Sequence, residues 1–587
     1  MKTSDSTIRA DLAKCLPLVL IPFCVLLAFW PTIHADFISW DDDANFLNNP
    51  HFRGLSWQNL RWMFTTVHMS NYQPLSWLLT GLGYSIWGMK PLGYHATSLA
   101  LHGLNSVLFY LLAARLLRLA ARGRRNEAAV PFAAAFAALL FALHPLRVES
   151  VAWLSGQHDL QAAAFYLLAL LCYMKACAGE GRRWRWLMGC TALFAAAMLS
   201  KANGVTLPIA LLILDYYPLR RLAPDPRRWL QPEQRQVWLE KVPLLAVAVA
   251  AGIINLVARH QTAELEPLGL SFRIEQAFYG LAFYIGKTVA PVQLSPMYPI
   301  PVDLQLPPTV VGASTALVLG LTAALLHQRR HWPSGLVAWA YYVVTALPVL
   351  GLISFSTQLM ADRYTYLPCM AWAVLVGGAV LVGRRRMRTQ VRHLLSVALG
   401  SVLLVLALLS FRQSRLWHDS ETLFRYVLAE DQNIPEAHNT LGFILMNQRN
   451  TDEAMAEYRR ALALKPDYVR AINNLGLALL RQGHTEEAAE QYEKALSLQP
   501  NYAFGQNNLG LALLVLGRAA EALPHFEKAV DLAPKYVVAY ANLGGALLTL
   551  GRVDEAITQY RKALEIRPDY SAAAEMLRQA EETRSLP

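Results

Sequence analysis

The chain has 587 residues, 55% of them hydrophobic and only 16% charged, with a net charge of +11. A positive mean hydropathy of +0.27 excludes an ordinary soluble globule and fits a polytopic membrane protein with a soluble part. Much of the basic excess lies in short arginine-rich loops between apolar stretches, and there is no P-loop, Rossmann glycine fingerprint or nucleic-acid-binding face.

A membrane-crossing helix needs roughly 17 to 25 apolar residues. Such stretches fall near 15–34, 93–120, 129–145, 158–176, 185–200, 203–217, 242–258, 309–327, 334–353, 364–383 and 394–411. The first lacks a small-residue cleavage pattern and reads as a retained helix. Basic clusters punctuate the series: Arg122, Arg124 and Arg125; Arg182, Arg183 and Arg185; Arg220, Arg221, Arg227 and Arg228; Arg329 and Arg330; Arg384, Arg385, Arg386 and Arg388. All fall on the cytoplasmic side if the N-terminus is inside and the segment 274–291, which carries Arg273, Glu275 and Lys287, lies at the interface or re-enters. Eleven spans then leave everything after residue 411 outside. The six cysteines lie in or beside apolar stretches without CxxC spacing, so neither a disulfide framework nor a cysteine metal site is expected.

The longest outer segment is 35–92. It begins with DFISWDDDANFLNN, where Asp41, Asp42 and Asp43 place three adjacent carboxylates beside a bilayer. Such a cluster calls for a cation, a metal or a substrate as partner; a cap for a helix starting at Ala44 would need only one of them. Pieces 56–66 and 75–87 read as amphipathic helices lying on the membrane. From Pro435 the texture changes to a 34-residue period. Leu-Gly recurs at 441–442, 475–476, 509–510 and 543–544, an aromatic at Tyr458, Tyr492, Phe526 and Tyr560, and proline at Pro466, Pro500, Pro534 and Pro568. This is the tetratricopeptide repeat (TPR). The fold expected is therefore all-α: a membrane bundle over 1–411, a connector at 412–434, four repeats forming an α-solenoid over 435–570, and a capping helix and tail at 571–587. Asn474, Asn508 and Asn542 recur on the first helix of successive repeats and can hydrogen-bond an extended acceptor peptide without reading its sequence.

The outer loops carry HPLRVESVAWLSGQHDL (144–160), LSKANGVTLP (199–208), FYIGKTVAPVQLSPMYP (283–299) and DRYTYLP (362–368). With FISWDD, NYQPLSW and YHATSLALHGLNSVL, their order resembles the transmembrane and TPR-containing O-mannosyltransferase-like proteins of the GT-C glycosyltransferase superfamily. The resemblance implies a GT-C-like bundle. It also implies transfer of mannose or another hexose from a polyprenyl-phosphate donor to a protein hydroxyl on the outer face. Displacing the phosphate needs a carboxylate to take the acceptor proton and cations to meet the departing charge. Asp41 and Asp42 match the family's acidic pair; Asp42 is assigned as general base and Asp41 as its partner, with a Mg or Mn ion held by the two as the alternative. Substrate-binding candidates are Glu149, His144, Asp159, His95, His102, Lys201, Lys287, Arg363 and Tyr364, with Arg363 the first choice for phosphate because its guanidinium grips two oxygens. Lys201 departs from the family pattern, since Ala202 stands where an acidic residue commonly follows that lysine. The expected partners are the bilayer, the lipid-linked sugar and a protein or peptide acceptor. No N-x-S/T sequon occurs in the outer segments, which favours a bacterial inner membrane with a cytoplasmic N-terminus and periplasmic repeats. A glycan or lipid acceptor, and a non-catalytic membrane scaffold, are the competing readings.

Overall fold

A computed structural model describes residues 16–121, 129–179, 182–260, 268–301, 304–352 and 358–585. Cys15 and the Arg122–Arg124–Arg125 cluster lie outside them. Among the described residues the structure is helical apart from one antiparallel pair, Tyr298–Pro299 (β1) against Gln358–Met360 (β2). Internal contacts divide the chain into a unit ending at Thr422 and a second beginning at Leu423.

Helices stand at each predicted span. In the first unit these are Leu16–Ala28 (α1), Pro91–Ala120 (α4), Val130–Ala142 (α5), Gln157–Ala178 (α7), Arg183–Ser200 (α8), Leu207–Tyr216 (α9), Val242–His260 (α11), Pro308–His327 (α13), Pro333–Ala346 (α14), Met370–Arg386 (α15) and Thr389–Arg415 (α16). Between them lie Trp57–Thr65 (α2), Pro74–Trp87 (α3), Val148–Ala152 (α6), Arg235–Leu239 (α10) and Leu270–Val289 (α12). Among the described residues four helices are individually long and apolar enough to cross a membrane, and bent pairs at α5–α6 (60°) and α10–α11 (44°) raise the number to six if each pair is one span. The others are shorter; at 1.5 Å per residue, the ten residues of α9 cover only about 15 Å of a ~30 Å hydrocarbon layer. The apolar windows of α16 and of Pro308–Arg330 are only 11% and 17% buried. Helices that are apolar all round and unpacked belong in lipid, so the first unit is a membrane bundle.

Most of the segment 274–291 lies in the 20-residue helix α12, whose Phe272, Gln276 and Tyr284 are buried against α13, α14 and β2, and which is not among the helices apolar enough to span. One expectation changes. Helix α3 does not simply lie on the membrane surface. Trp77 is buried with Phe37, Phe46, Phe52, Met63, Tyr94 and Leu154, and Ser76 Oγ donates to the Ser200 carbonyl at 2.8 Å. The outer segment thereby becomes a packed cap on the bundle.

The second unit contains the four expected helix pairs: Pro435–Asn447 with Thr451–Leu464 (α18, α19), Val469–Arg481 with Thr485–Leu498 (α20, α21), Ala503–Val515 with Ala519–Leu532 (α22, α23) and Val537–Thr549 with Val553–Ile566 (α24, α25). Ser420–Glu430 (α17) precedes them and Ser571–Ser585 (α26) closes the series. A side chain at Gly442, Gly476, Gly510 or Gly544 would place its Cβ 2.5–2.9 Å from the ring of Tyr458, Tyr492, Phe526 or Tyr560. The recurring Gly and aromatic are thus one contact, repeated at each pair.

Candidate active site

Proline at 145 ends α5, and the chain crosses between α5 and α7 in short helical pieces, 145–147, α6 and 154–156, instead of one straight helix. Gly156 closes this passage: a Cβ there would stand 3.3 Å from the carbonyl oxygens of Glu149 and Ser150, tighter than a side chain ordinarily sits. The passage brings Glu149, Trp153, Ser155 and Asp159 to the end of the bundle capped by residues 36–49. The turn Asp362–Thr365 and the α8–α9 junction reach the same place.

Two ion pairs form there. Arg363 Nη1 pairs with Glu149 Oε1, and the Arg363 backbone N–H donates to Glu149 Oε2 at 2.8 Å. The guanidinium lies 5.0 Å from the Trp153 ring and 4.9 Å from the Tyr364 ring. Lys201 Nζ contacts Asp159 Oδ2 at 2.8 Å, while Asn203 Nδ2 donates to Asp159 Oδ1 at 3.0 Å. Lys201 therefore has a carboxylate after all, supplied by α7 in place of the missing acidic neighbour at 202. Asp159, Asn203, Arg363 and Tyr364 line one small cleft together with Thr345 and Pro368.

The two aspartates have different jobs. Asp42 is wholly buried; its Oδ1 accepts from the Ser155 N–H at 2.9 Å and hydroxyl at 2.6 Å, and its Oδ2 accepts from the Ile38 N–H at 3.0 Å. It ties the loop to the 154–156 turn, and burial pushes its carboxyl up to about 7 against the pull of those bonds. Asp41 is half-buried, and the charges of Arg363 and Lys201 reach it. Burial raises its pKa; Asp43 adds to the rise, and the two cations oppose it. Asp43 accepts from the Ala44 N–H at 2.8 Å, a local role. Trp40, beside Asp41, stacks on Trp153 with ring centroids 5.5 Å apart.

This geometry corrects several expectations. Asp42 has no oxygen free of a hydrogen bond and faces the protein interior, which does not suit a general base. The Asp41–Asp42 pair does not fit a divalent ion for the same reason, and among the described residues no group of three or more His, Cys, Asp or Glu side chains gathers as metal ligands. His102 donates from Nε2 to the Ala142 carbonyl (3.0 Å) and accepts at Nδ1 from the Tyr366 hydroxyl (2.8 Å). His144 donates to the Thr288 carbonyl (3.0 Å) and accepts from the Leu146 N–H (3.3 Å). Both rings are used up as packing, and His95 is buried. Lys287 Nζ donates to the carbonyls of Val292 (2.7 Å) and Gln293 (2.9 Å), closing the loop after α12. The repeat asparagines bond chiefly to one another: Asn474, Asn508 and Asn542 donate to Asn439, Asn473 and Asn507 at 3.0, 2.9 and 2.8 Å. They form a ladder that joins successive first helices, which leaves less of each amide for a peptide. Sequence reasoning passed over Asn203, Ser155 and Asp362. Asp362 is buried and accepts from the Tyr298 hydroxyl at 3.0 Å; burial and the nearby Glu149 raise its pKa well above the usual carboxylate range. A polar residue inside an apolar outer motif was the only available signal for it.

The first unit is thus a helical bundle with a carboxylate–cation cluster at one end, and the second is built of TPR helix pairs. Residues 74–254 match the family described as dolichyl-phosphate-mannose-protein mannosyltransferase, and residues 433–501 and 502–569 match tetratricopeptide repeats. Protein O-mannosyl-transferase TMTC4 of Mus musculus is 28% identical over 77% of this chain and 68% of its own length. Protein O-mannosyl-transferase TMTC3 of Homo sapiens is 24% identical over 77% of this chain and 51% of its own. Protein O-mannosyl-transferase TMTC2 of Mus musculus is 30% identical over 34% of this chain and 23% of its own. The chain is thus similar to TPR-containing protein O-mannosyl-transferases, and spans about two thirds of the first of these and about half or less of the other two.

Proposed function

We propose that the chain transfers a hexose, mannose being the first candidate, from a polyprenyl-phosphate donor to a hydroxyl of a protein acceptor, and that Asp41 is the general base. One observation carries this: of the two partly accessible carboxylates in the cluster, Asp43 is taken up by the Ala44 N–H, whereas Asp41, next to the buried strut Asp42, lies within reach of the charges on Arg363 and Lys201. Asp41 takes the proton of the acceptor hydroxyl as its oxygen attacks the anomeric carbon. The bond from that carbon to the phosphate oxygen breaks, and a single displacement inverts the centre. The leaving phosphate gains charge where Arg363, Lys201 and Asn203 line or border the cleft, so stabilisation grows in the transition state. Trp40 and Trp153 offer apolar faces beside the base on which a sugar ring can rest. In the topology expected from the arginine loops this end is the outer face, the periplasmic one in a bacterial inner membrane. The repeats recruit the protein acceptor.

The test is sugar transfer by the full chain in lipid nanodiscs, with polyprenyl-phosphate mannose as donor, a folded hydroxyl-bearing protein as acceptor, and hexose addition read by mass spectrometry. Transfer is expected from the wild type and lost in Asp41→Asn. Undiminished transfer by that variant defeats the assignment of the base.

A further inference from the structure

A second cluster of charges lies at the other end of the same helices, and sugar transfer does not use it. Asp159 opens α7, and Tyr173 stands fourteen residues on, about 21 Å along the axis. The Tyr173 hydroxyl donates to Asp215, whose Oδ2 meets Lys241 Nζ at 2.6 Å and whose Oδ1 meets Arg221 Nη1 at 3.0 Å. Arg221 Nη2 continues to Glu240 at 2.8 Å, and Arg183 pairs with Glu240 as well. Asp215 and Lys241 are buried, so the network pins the far ends of α7 and α9 to the start of α11. The connecting segment is further braced by its indoles: Trp229 Nε1 donates to the Ala223 carbonyl at 2.7 Å and Trp238 Nε1 to the Trp229 carbonyl at 2.8 Å.

On this frame stand Arg182, Arg185, Arg220, Arg227, Arg228 and Arg235, all exposed and none ion-paired among the described residues. The exposed acids of the connecting segment are Asp225 and Glu233, and Asp225 is engaged with the Arg227 N–H at 3.1 Å. Among the described residues internal pairing does not account for these arginines, because the buried network already sets three cations against two carboxylates. Interleaved with them are Leu230, 89% exposed, and Trp184, 55% exposed. The apolar helix α11 begins here after a 44° bend, which places the face where a span enters a bilayer. Arginines clustered around an exposed leucine at the start of an apolar helix complement a leaflet of negative headgroups.

We propose that this face binds anionic phospholipid headgroups, with Arg227, Arg228 and Arg235 on the phosphates and Leu230 inserted beside the acyl chains. Guanidinium suits phosphate through paired hydrogen bonds. The experiment places the full chain in nanodiscs of mixed phosphatidylcholine and phosphatidylglycerol and counts retained lipid by native mass spectrometry. The wild type is expected to retain phosphatidylglycerol over phosphatidylcholine by at least about tenfold, with a preference that falls as salt rises. The triple variant Arg227→Gln, Arg228→Gln, Arg235→Gln is expected to lose it at an unchanged melting temperature in pure phosphatidylcholine, and Leu230→Ser to weaken it. Equal retention of the two lipids by the wild type, full preference in the triple variant, or displacement of the lipid by a co-purifying acidic protein each overturns the proposal.

Discussion

At the scale of residues, adjacent aspartates are separated by what surrounds them. Asp41→Asn keeps shape and removes the proposed base, so transfer is expected to fall by roughly 10²–10⁴ with the fold intact, as rate and melting temperature measured together will show. Asp42 acts on stability. Its carboxyl is pushed up to about 7 from an ordinary 3.8, so between those values the folded chain holds a proton that the unfolded chain has released. Stability therefore falls as pH rises from about 4 to about 7, by on the order of 4 kcal/mol from this group. Asp42→Asn is expected to flatten that slope in a pH series of melting curves, while the acid limb of the rate profile, which belongs to Asp41, stays. Glu149 and Arg363 form a buried pair, and removing one partner leaves the other charge stranded. Glu149→Ala is expected to cost about 3–5 kcal/mol, and the double variant with Arg363→Ala less than the sum of the two single variants. The division between Asp41 and Asp42 was not legible in DDD. Consecutive letters carry no burial, and Ser155, which binds Asp42, and Arg363, which binds Glu149, lie 113 and 214 positions away from them.

At the scale of elements, legibility followed repetition. The 34-residue period fixed every helix pair of the second unit, because each repeat reuses the same Gly-against-aromatic contact and each proline marks its end. Gly476→Ala would set a methyl 2.7 Å from the Tyr492 ring, and is expected to destabilise the repeats by about 1–3 kcal/mol in urea unfolding, with Tyr492→Leu relieving part of that cost. The membrane helices were legible as helices, since apolar length decides that. Their breaks were not. The passage from Pro145 to Gly156 reads as the tail of one span and a loop, yet its short turns deliver Glu149 and Ser155 to the site. Lys201 found Asp159 on a neighbouring helix where the local sequence offered only Ala202. Long-range pairing in a bundle depends on which helices touch, and hydropathy is silent on that.

At the scale of the whole molecule, the proposed function places chemistry and recruitment in different units. Asp41, Glu149, Asp159, Lys201, Asn203 and Arg363 all precede Thr422, and each is held by contacts within the first unit. The repeats begin after it and have their own core, in which Tyr458, Tyr492, Phe526 and Tyr560 are buried. If the repeats serve only to raise the local concentration of a protein acceptor, their loss costs effective molarity and leaves the bond-making groups in place. A chain ending at residue 434 is therefore expected to keep its turnover on a short hydroxyl-bearing peptide at saturation, while transfer to a folded protein falls by tenfold or more through KM. Equal loss on both acceptors would mean that the repeats complete the catalytic unit. Unchanged transfer to the folded protein would mean that they bind something other than the acceptor.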